Sequence, residues 1–228
     1  MENRVTTPPV FWTNFSTELR TELRNHLDPN KLGAAIENPN DAASRSEIST
    51  IANKFLHQKQ YKLAEELYTY YYQARTAELG GRTDADTLST KYSIGYAQLE
   101  QGELAESENT WKEILSLELY GLDNKLRMVL GAKNNLGVAL NRQGKFQEAE
   151  TVLRDLLPEI QKEFPESDPR VLGCMRHLME ALVGQGKVEE AKMMCERGMV
   201  LAETVSEVHR KDEIEAMEEM QMKIDGSK

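Results

Sequence analysis

The sequence has little cysteine, little proline and no long apolar run, and each absence excludes a class of protein. Its 228 residues include only two cysteines and seven prolines. Cys174 and Cys195 cannot form a disulfide framework, and their spacing matches no zinc or redox motif. No stretch approaches the roughly 18 apolar residues of a membrane span, and the first residues lead into no signal-peptide segment. We therefore expect a cytoplasmic protein with no membrane association, in which both thiols are core residues.

Positive charge and catalytic motifs are also scarce. With 28 basic and 38 acidic residues the formal net charge is −10, which repels phosphate backbones and predicts no nucleic-acid partner. There is no Walker loop, G-x-S-x-G, H-E-x-x-H, kinase motif or C-x-x-C. The four histidines, at positions 26, 57, 177 and 209, are far apart in sequence, so no two of them have the helical spacing of a metal-binding pair. The sequence thus predicts no catalytic residues, no metal and no cofactor. A protein without enzymatic activity is the favoured interpretation, and an enzyme is the alternative that stays open.

What the sequence does contain is an internal repeat with a period of 42 residues. Segments 92–102, 134–144 and 176–186 align without gaps, and a more degenerate copy precedes them at a spacing of 43. Their apolar anchors are Ile51, Ile94, Leu136 and Leu178. Each aligned segment ends in a glycine that is followed by apolar residues at steps of three, four and three, which is one face of a helix. Each unit is therefore predicted to be helix, tight turn, helix, with Gly102, Gly144 and Gly186 in left-handed conformation.

At this point the chain resembles the 42-residue tetratricopeptide repeats (TPRs) of kinesin light chains. The resemblance is carried by Asn134-Asn-Leu-Gly137 and by the turn Gln143-Gly-Lys-Phe-Gln-Glu-Ala-Glu150. Met179 and Ser107 depart from the pattern at small-residue positions, and the first repeat lacks the turn glycine. The resemblance implies an all-α fold: a right-handed superhelical solenoid of TPR-like helix–turn–helix repeats, working as a protein-interaction scaffold.

The predicted domain organisation has three parts. Residues 1–44 form an N-terminal extension with a short amphipathic helix. Residues 45–205 form four repeats, at about 45–85, 86–127, 128–169 and 170–205. Residues 206–228 form a C-terminal capping helix and tail, which covers the apolar face of the last repeat.

In such repeats the first helix of each pair lines a concave groove, and projection along these helices selects the candidate partner-binding residues. They are Asn53, His57, Tyr92, Tyr96, Asn134, Asn135, Arg142, Arg176 and His177. An asparagine amide offers both a donor and an acceptor to a peptide backbone. Asn134 and Asn135 could instead be solvated or bonded to the neighbouring helix. Arg142 and Arg176 could meet an acidic group of a protein or peptide partner. Ser49 and Ser93 stand where relatives that bind acidic chaperone tails carry Lys and Asn, which argues against that ligand.

Two rival functions stay open at this stage. One is a small-molecule binder or atypical enzyme with its site in the same groove. The other is a self-assembling subunit, because an exposed terminal repeat can stack on a copy of itself, so a homo-oligomer is one option.

Aromatic and acidic clusters raise further alternatives. Phe11, Trp12 and Phe15 belong to no repeat. Residues 11–27 could cap the first repeat or occupy the groove as a built-in ligand, and capping is favoured. Among the tyrosines at 68, 70, 71 and 72, we expect Tyr68 and one of the last two to be packed and Tyr70 to border solvent. The acidic pairs, including Glu148 with Glu150, are expected on solvated outer helix faces.

Overall fold

The computed structural model describes residues 15–26, 42–81, 83–117 and 125–227, and α-helices are the only regular elements within them. In chain order the helices are α1 (Thr17–His26), α2 (Ala42–His57), α3 (Tyr61–Glu78), α4 (Ala85–Gln101), α5 (Leu104–Ser116), α6 (Lys125–Arg142), α7 (Phe146–Glu163), α8 (Pro169–Gly184), α9 (Val188–Glu203) and α10 (Glu207–Gly226). The predicted all-α class is confirmed. The chain divides into two compact units between Glu103 and Leu104, inside the second predicted repeat. The predicted repeat boundaries stay predictions.

In the N-terminal unit α3 packs against α1, α2 and α4. Phe15, Leu19 and Leu23, which share one face of α1 by their spacing of four, are all buried in the core of this unit. The Phe15 ring meets the Tyr70 ring edge-on at 4.9 Å between centroids, and Ser16 Oγ donates to Glu66 Oε2 at 2.7 Å. The described part of the N-terminal segment therefore lies on α3. Phe11 and Trp12 lie outside the described residues.

The tyrosines of α3 follow the packed arrangement expected for them. Tyr68 and Tyr71 are buried, whereas Tyr70 and Tyr72 are half-buried. The Tyr68 hydroxyl donates to Asn53 Oδ1 at 2.8 Å, and the Tyr71 hydroxyl donates to Asp86. Both buried rings thus bring their polar ends to partners, as buried tyrosines usually do.

The three turn glycines have the backbone conformation that was predicted for them. Gly102, Gly144 and Gly186 have φ of +83°, +76° and +74°, which confirms the predicted left-handed conformation. In the first repeat, which has no turn glycine, Lys59 takes the same conformation with φ of +59°. It is the one non-glycine residue with positive φ in the part of the chain that the structure describes.

Two helices begin directly after an aspartate whose side chain caps them. The Asp84 side chain accepts from Thr87 N at 2.8 Å, and Thr87 Oγ1 accepts from Asp84 N at 2.9 Å, which makes a capping box at the start of α4. Asp168 accepts from Arg170 N at 2.9 Å ahead of α8, which starts with Pro169.

In the C-terminal unit successive helices from α5 to α10 pack against one another, and α8 also contacts α6 and α10. Small residues let the helices of a pair approach closely. A Cβ placed on Gly137 of α6 would lie 2.6 Å from the Leu153 side chain of α7. Cys174 and Cys195 are both free and buried, which confirms that they are core residues.

One expectation about the acidic residues is wrong. Glu150 is buried, not solvated. Its carboxylate accepts from Lys187 Nζ at 2.6 Å, Gln185 Nε2 at 2.7 Å and Arg154 Nε at 2.8 Å. Because Lys187 and Arg154 compensate the charge, burial of the carboxylate is tolerated.

The same arrangement occurs one repeat earlier, and we call it the turn clamp. In the turn clamp, the Gln before a turn glycine and the Lys after it bind a Glu of the preceding repeat. That Glu lies six residues after the turn glycine of its own repeat. Buried Glu108 accepts from Gln143 Nε2 at 2.8 Å and from Lys145 Nζ at 2.7 Å, and it also pairs with Lys112. In the N-terminal unit Glu65 takes this place and accepts from Gln101 Nε2 at 2.6 Å. The full clamp therefore ties the predicted second repeat to the third and the third to the fourth. Between the first and the second, Gln101 acts without the lysine, because Glu103 follows Gly102.

Candidate functional site

Five of the nine predicted binding residues lie in the C-terminal unit, on α6 and α8, which pack against each other. Asn134 and Asn135 are half-buried in the middle of α6, and Arg142 is exposed at its last residue. The Asn134 Oδ1 atom is buried and has no hydrogen-bond partner among the described residues. A buried acceptor without a donor costs roughly 1–3 kcal/mol. This atom would therefore gain from a donor supplied by a ligand.

Asn141, next to Arg142, is a polar residue of α6 that the sequence argument missed. It is buried, and its Nδ2 donates to the backbone carbonyl of His177 on α8 at 2.8 Å, while its Oδ1 has no partner among the described residues. The sequence held a signal for it, because Asn134, Val138 and Asn141 are spaced by four and three and share one helix face. Asn141 links the two helices that carry the candidate residues.

On α8, Arg176 and His177 have different surroundings. Arg176 Nη1 donates to Glu213 Oε2 of α10, and Glu213 is buried. Arg176 therefore holds α10 against α8. His177 Nδ1 is buried with no hydrogen bond to the described part of the chain, 3.6 Å from Glu180 Oε2.

The other four predicted residues lie in the N-terminal unit. Asn53 and His57 are exposed on α2, and Asn53 accepts from the Tyr68 hydroxyl of α3. On α4, Tyr92 is half-buried and Tyr96 is 40% exposed. Asn53 thus has a structural partner within its own repeat.

The described side chains show little that could do chemistry. Lys112 and Lys145 lower the pKa of Glu108 to about 2, and Lys187, with Arg154 and Gln185, lowers that of Glu150 to about 2. Both carboxyls are held ionised and ion-paired, which is unlike a general acid poised near neutral pH. Burial raises the pKa of the Cys174 thiol to about 12 and also raises that of Cys195, the opposite of an activated nucleophile. No three metal-ligating side chains lie together among the described residues.

A cavity of about 610 Å³ in the N-terminal unit does not coincide with the predicted site. It lies where α1 meets α3, and its walls include Phe15, Lys62, Glu66 and Tyr70. None of the nine predicted residues lines it. It therefore gives no support to a small-molecule site in the predicted groove.

None of the described helices combines the length and the apolar character that crossing a bilayer requires.

Comparison with known proteins identifies the repeat. Residues 129–169, which contain most of α6 and all of α7, match the family model of the tetratricopeptide repeat. No curated protein matches the chain.

Two solved structures share the fold. They are a crystal structure of the nearly identical TPR-like repeats of a candidate kinesin light chain from Podosopora anserina, and a structure of the same repeats with a Gln-to-Met substitution. Their TM-scores are 0.60 and 0.62, each at 18% sequence identity over 80% of this chain and 93% of the other. The resemblance to kinesin light chain repeats is thus confirmed at the level of the fold. The chain is a helical-repeat protein with a TPR-like fold that carries a tetratricopeptide repeat at residues 129–169.

Proposed function

We propose that the chain is a protein-interaction scaffold that binds an extended peptide segment of a partner on the faces of α6 and α8. The observation that carries the proposal is the tetratricopeptide match at 129–169, because α6 within it holds Asn134, Asn135 and Arg142. Helical repeats of this kind offer extended surfaces suited to peptides. Binding, and not catalysis, is the proposed mechanism.

The polar atoms of these two helices support a peptide ligand. Asn134 Oδ1 and His177 Nδ1 are buried and lack hydrogen-bond partners among the described residues. A small side-chain rotation would let each exchange a hydrogen bond with a peptide main chain. Asn135 belongs to the same proposed surface.

Charge gives the second element of the proposal. Arg142 is exposed at the end of α6, and its guanidinium has the planar fork of donors that matches a carboxylate. We assign contact with an acidic or carboxylate group of the peptide to Arg142. Arg176 pairs with Glu213, and we assign support of α10 to it. Asn53, His57, Tyr92 and Tyr96 are proposed as a secondary surface on the N-terminal unit.

The working compartment is part of the proposal. Both thiols are free and buried, which fits a reducing compartment such as the cytoplasm.

The experiment selects peptides from a displayed random library on the immobilised full chain and measures their affinity for variants. Arg142→Ala should lower affinity about tenfold or more, since a hydrogen bond to a charged group contributes about 1.5–3 kcal/mol. Asn134→Ala should lower it about two- to tenfold, since a neutral hydrogen bond contributes about 0.5–1.5 kcal/mol. Their melting temperatures should stay close to that of the wild type.

Asn109→Ala and Lys162→Ala are matched controls, because both residues are exposed on α5 and α7, outside the proposed surface. Equal affinity of all four variants for the selected peptides would place binding elsewhere and overturn the proposal.

A further inference from the structure

The outer face of α9 exposes two large apolar side chains, Met193 and Val200, which we call the α9 stripe. Met193 is 72% exposed and Val200 is 65% exposed. They are seven residues apart, so they lie on the same side of the helix, about 10.5 Å from each other along its axis. The buried residues Ala191, Cys195 and Ala202 lie on the opposite side. The stripe therefore faces away from the core of the repeats.

A hollow of about 240 Å³ adjoins the α9 stripe, and Met193 forms part of its wall. Leu157, Met175 and Met194 supply the other apolar side chains of the wall. Methionine side chains are flexible and polarizable, so they adapt to the shape of an inserted apolar group. The hollow can therefore receive one apolar side chain of a partner that lies along the stripe.

On the side of the stripe that borders the hollow, the charges of α9 are already paired. Glu190 pairs with Arg154 of α7, and Arg197 pairs with Glu166, which follows α7. These two ion pairs join α9 to the preceding repeat. The charges on this side therefore serve contacts within the array.

On the other side of the stripe, the charges of α9 have no ion-pair partner among the described residues. Glu189, Glu196 and Glu203 are exposed and follow one another at steps of seven residues. Lys192 is the one basic residue of α9 on this side, and it forms no ion pair with the three carboxylates. This side is therefore acidic overall, and a basic partner would complement it.

The repeat fold does not require a surface of this kind. At the equivalent places of α7, which are 42 residues earlier, Met193 is replaced by Thr151 and Val200 by Pro158. The three acidic places are taken there by Gln147, Arg154 and Gln161. The stripe and its row of carboxylates are thus particular to α9, and contact with a partner explains them better than folding does.

We propose that the outer face of α9 binds a basic amphipathic helix of a partner protein. The stripe and the carboxylates both recur every seven residues, and two helices packed side by side return to the same contact at that interval. An extended chain returns to the same side every two residues, about 6.8 Å, which does not match the spacing of about 10.5 Å. Lysine or arginine residues of the partner helix lie on the carboxylates, and its apolar residues lie on the stripe and in the hollow.

The test measures the affinity of the full chain for three synthetic peptides of equal length by fluorescence anisotropy. The first has leucines on one helical face and lysines on the other, and the second has glutamates in place of the lysines. The third has the composition of the first in an order without helical periodicity. The first peptide should bind at least tenfold more tightly than either of the others. Equal binding of the first and third peptides would show attraction by net charge alone and would overturn the proposal.

Variants of the full chain locate the contact. Met193→Gln and Val200→Gln should each lower affinity for the first peptide about fivefold or more, because each removes an apolar side chain from the contact. Glu196→Lys should lower it about three- to tenfold, since an attraction is replaced by a repulsion. All three residues are exposed, so the circular dichroism spectra should stay unchanged.

Met222→Gln and Glu106→Lys are the matched controls. Met222 has a similar exposure of 66% on α10, and Glu106 is an exposed acidic residue of α5. Both should bind the first peptide like the wild type. Equal losses in the controls and the α9 variants, or no loss in any of them, would contradict the proposal and leave the outer face of α9 as a solvated surface.

Arg142→Ala separates this surface from the one proposed on α6 and α8. It should bind the first peptide like the wild type, because Arg142 lies on α6 and not on α9. A matching loss in Arg142→Ala and Glu196→Lys would place the basic helix on the α6 and α8 surface and overturn the assignment to α9. Each of the two proposals can therefore fail without the other.

Discussion

The turn positions show how a single residue decides local backbone geometry. Gly144 and Lys59 occupy equivalent turns and both have positive φ, yet only glycine adopts this conformation without a steric penalty. No atom outside its own chain neighbours lies within 4 Å of where a Cβ on Gly144 would be. Any cost of a side chain there is therefore a cost of backbone conformation and not of packing.

We expect opposite effects from exchanging glycine at these two turns. Lys59→Gly should raise the free energy of unfolding by up to about 1 kcal/mol, and Gly144→Ala should lower it by about 1 kcal/mol, because a non-glycine residue pays roughly 1–2 kcal/mol in the left-handed region. Urea denaturation followed by circular dichroism measures both. If Lys59→Gly lowered the free energy of unfolding, the contacts of the lysine side chain would contribute more stability than its left-handed backbone costs.

Gly137 tests the other role of glycine. A Cβ added at Gly137 would lie 2.6 Å from the Leu153 side chain. Gly137→Ala should therefore lower the free energy of unfolding by about 1–3 kcal/mol through overpacking, whereas Gly144→Ala lowers it through backbone strain. Urea denaturation of the two variants compares these two effects.

At the residue scale, the sequence predicted the residues whose environment recurs in every repeat. It missed the residues whose environment depends on one particular neighbouring side chain. The turn glycines and the buried cysteines were predicted because the repeat itself marks them. Ser107 was seen only as a departure, whereas in the structure it is buried and its Oγ accepts from Trp111 Nε1 at 2.9 Å. The serine hydroxyl gives the buried indole a hydrogen-bond acceptor, and that requirement is not part of the repeat pattern.

At the scale of elements, α10 illustrates how one helix contributes to stability through one face. Met217 is fully buried, and its Sδ would lie 2.8 Å from a Cβ placed on Gly198 of α9. Met222, on the same helix, is mostly exposed. The glycine on α9 therefore makes room for the methionine that anchors α10.

We expect Met217→Ala to lower the free energy of unfolding by about 2–5 kcal/mol, since it leaves a cavity at the contact with α9. Met222→Ala should change it by less than about 0.5 kcal/mol, because an exposed side chain is removed. Thermal unfolding at a single low protein concentration checks the pair. Similar losses in both variants would contradict the assigned inner and outer faces of α10.

The N-terminal helix α1 marks the limit of prediction at this scale. Its stripe of Phe15, Leu19 and Leu23 follows from helical spacing alone, and all three side chains are buried. The hydrogen bond from Ser16 to Glu66 could not be predicted, because it joins residues fifty positions apart through a contact that no repeat specifies.

For the whole molecule, the turn clamps connect stability to pH. The carboxyls of Glu108 and Glu150 have an ordinary pKa of 4.5, and their partners lower it to about 2 in the folded chain. Folding is therefore stabilised by these groups above pH 4.5, where they are ionised in both states. The contribution is lost as the pH falls from 4.5 towards 2, because the unfolded chain binds the protons first.

We expect the urea midpoint of the wild type to fall steeply over this acidic window. Glu150→Gln should lower stability by about 1.5–3 kcal/mol at neutral pH and flatten the acidic limb, so that the two proteins converge near pH 2. Asp155→Asn, an exposed residue of the same helix, should leave the profile unchanged. A constant difference between Glu150→Gln and the wild type at all pH values would show that packing, and not charge, explains the loss.

The fold of the whole molecule was predictable from periodicity, whereas the candidate site was predictable only as a set of helix faces. A 42-residue period with turn glycines predicts helix pairs when the apolar residues on both sides of each glycine have helical spacing, as they do here. Arg176 was selected by the same projection as Arg142, but its position beside Glu213 depends on α10, which lies outside the repeat. The role of a polar residue on these helix faces thus depends on contacts with elements outside the repeats, such as α10. The repeat pattern does not encode those contacts.

The turn clamp also has a consequence for how the gene could be lengthened. The fourth repeat carries Lys192 six residues after Gly186, where Glu108 and Glu150 stand in the two repeats before it. A duplicated repeat placed after α9 would bring its turn lysine beside this ammonium group, whereas one inserted after α7 would find Glu150 available as an acceptor. A repeat gained by unequal recombination would therefore form its clamp if it were inserted after α7. After α9 the repulsion between two lysines would oppose the same clamp.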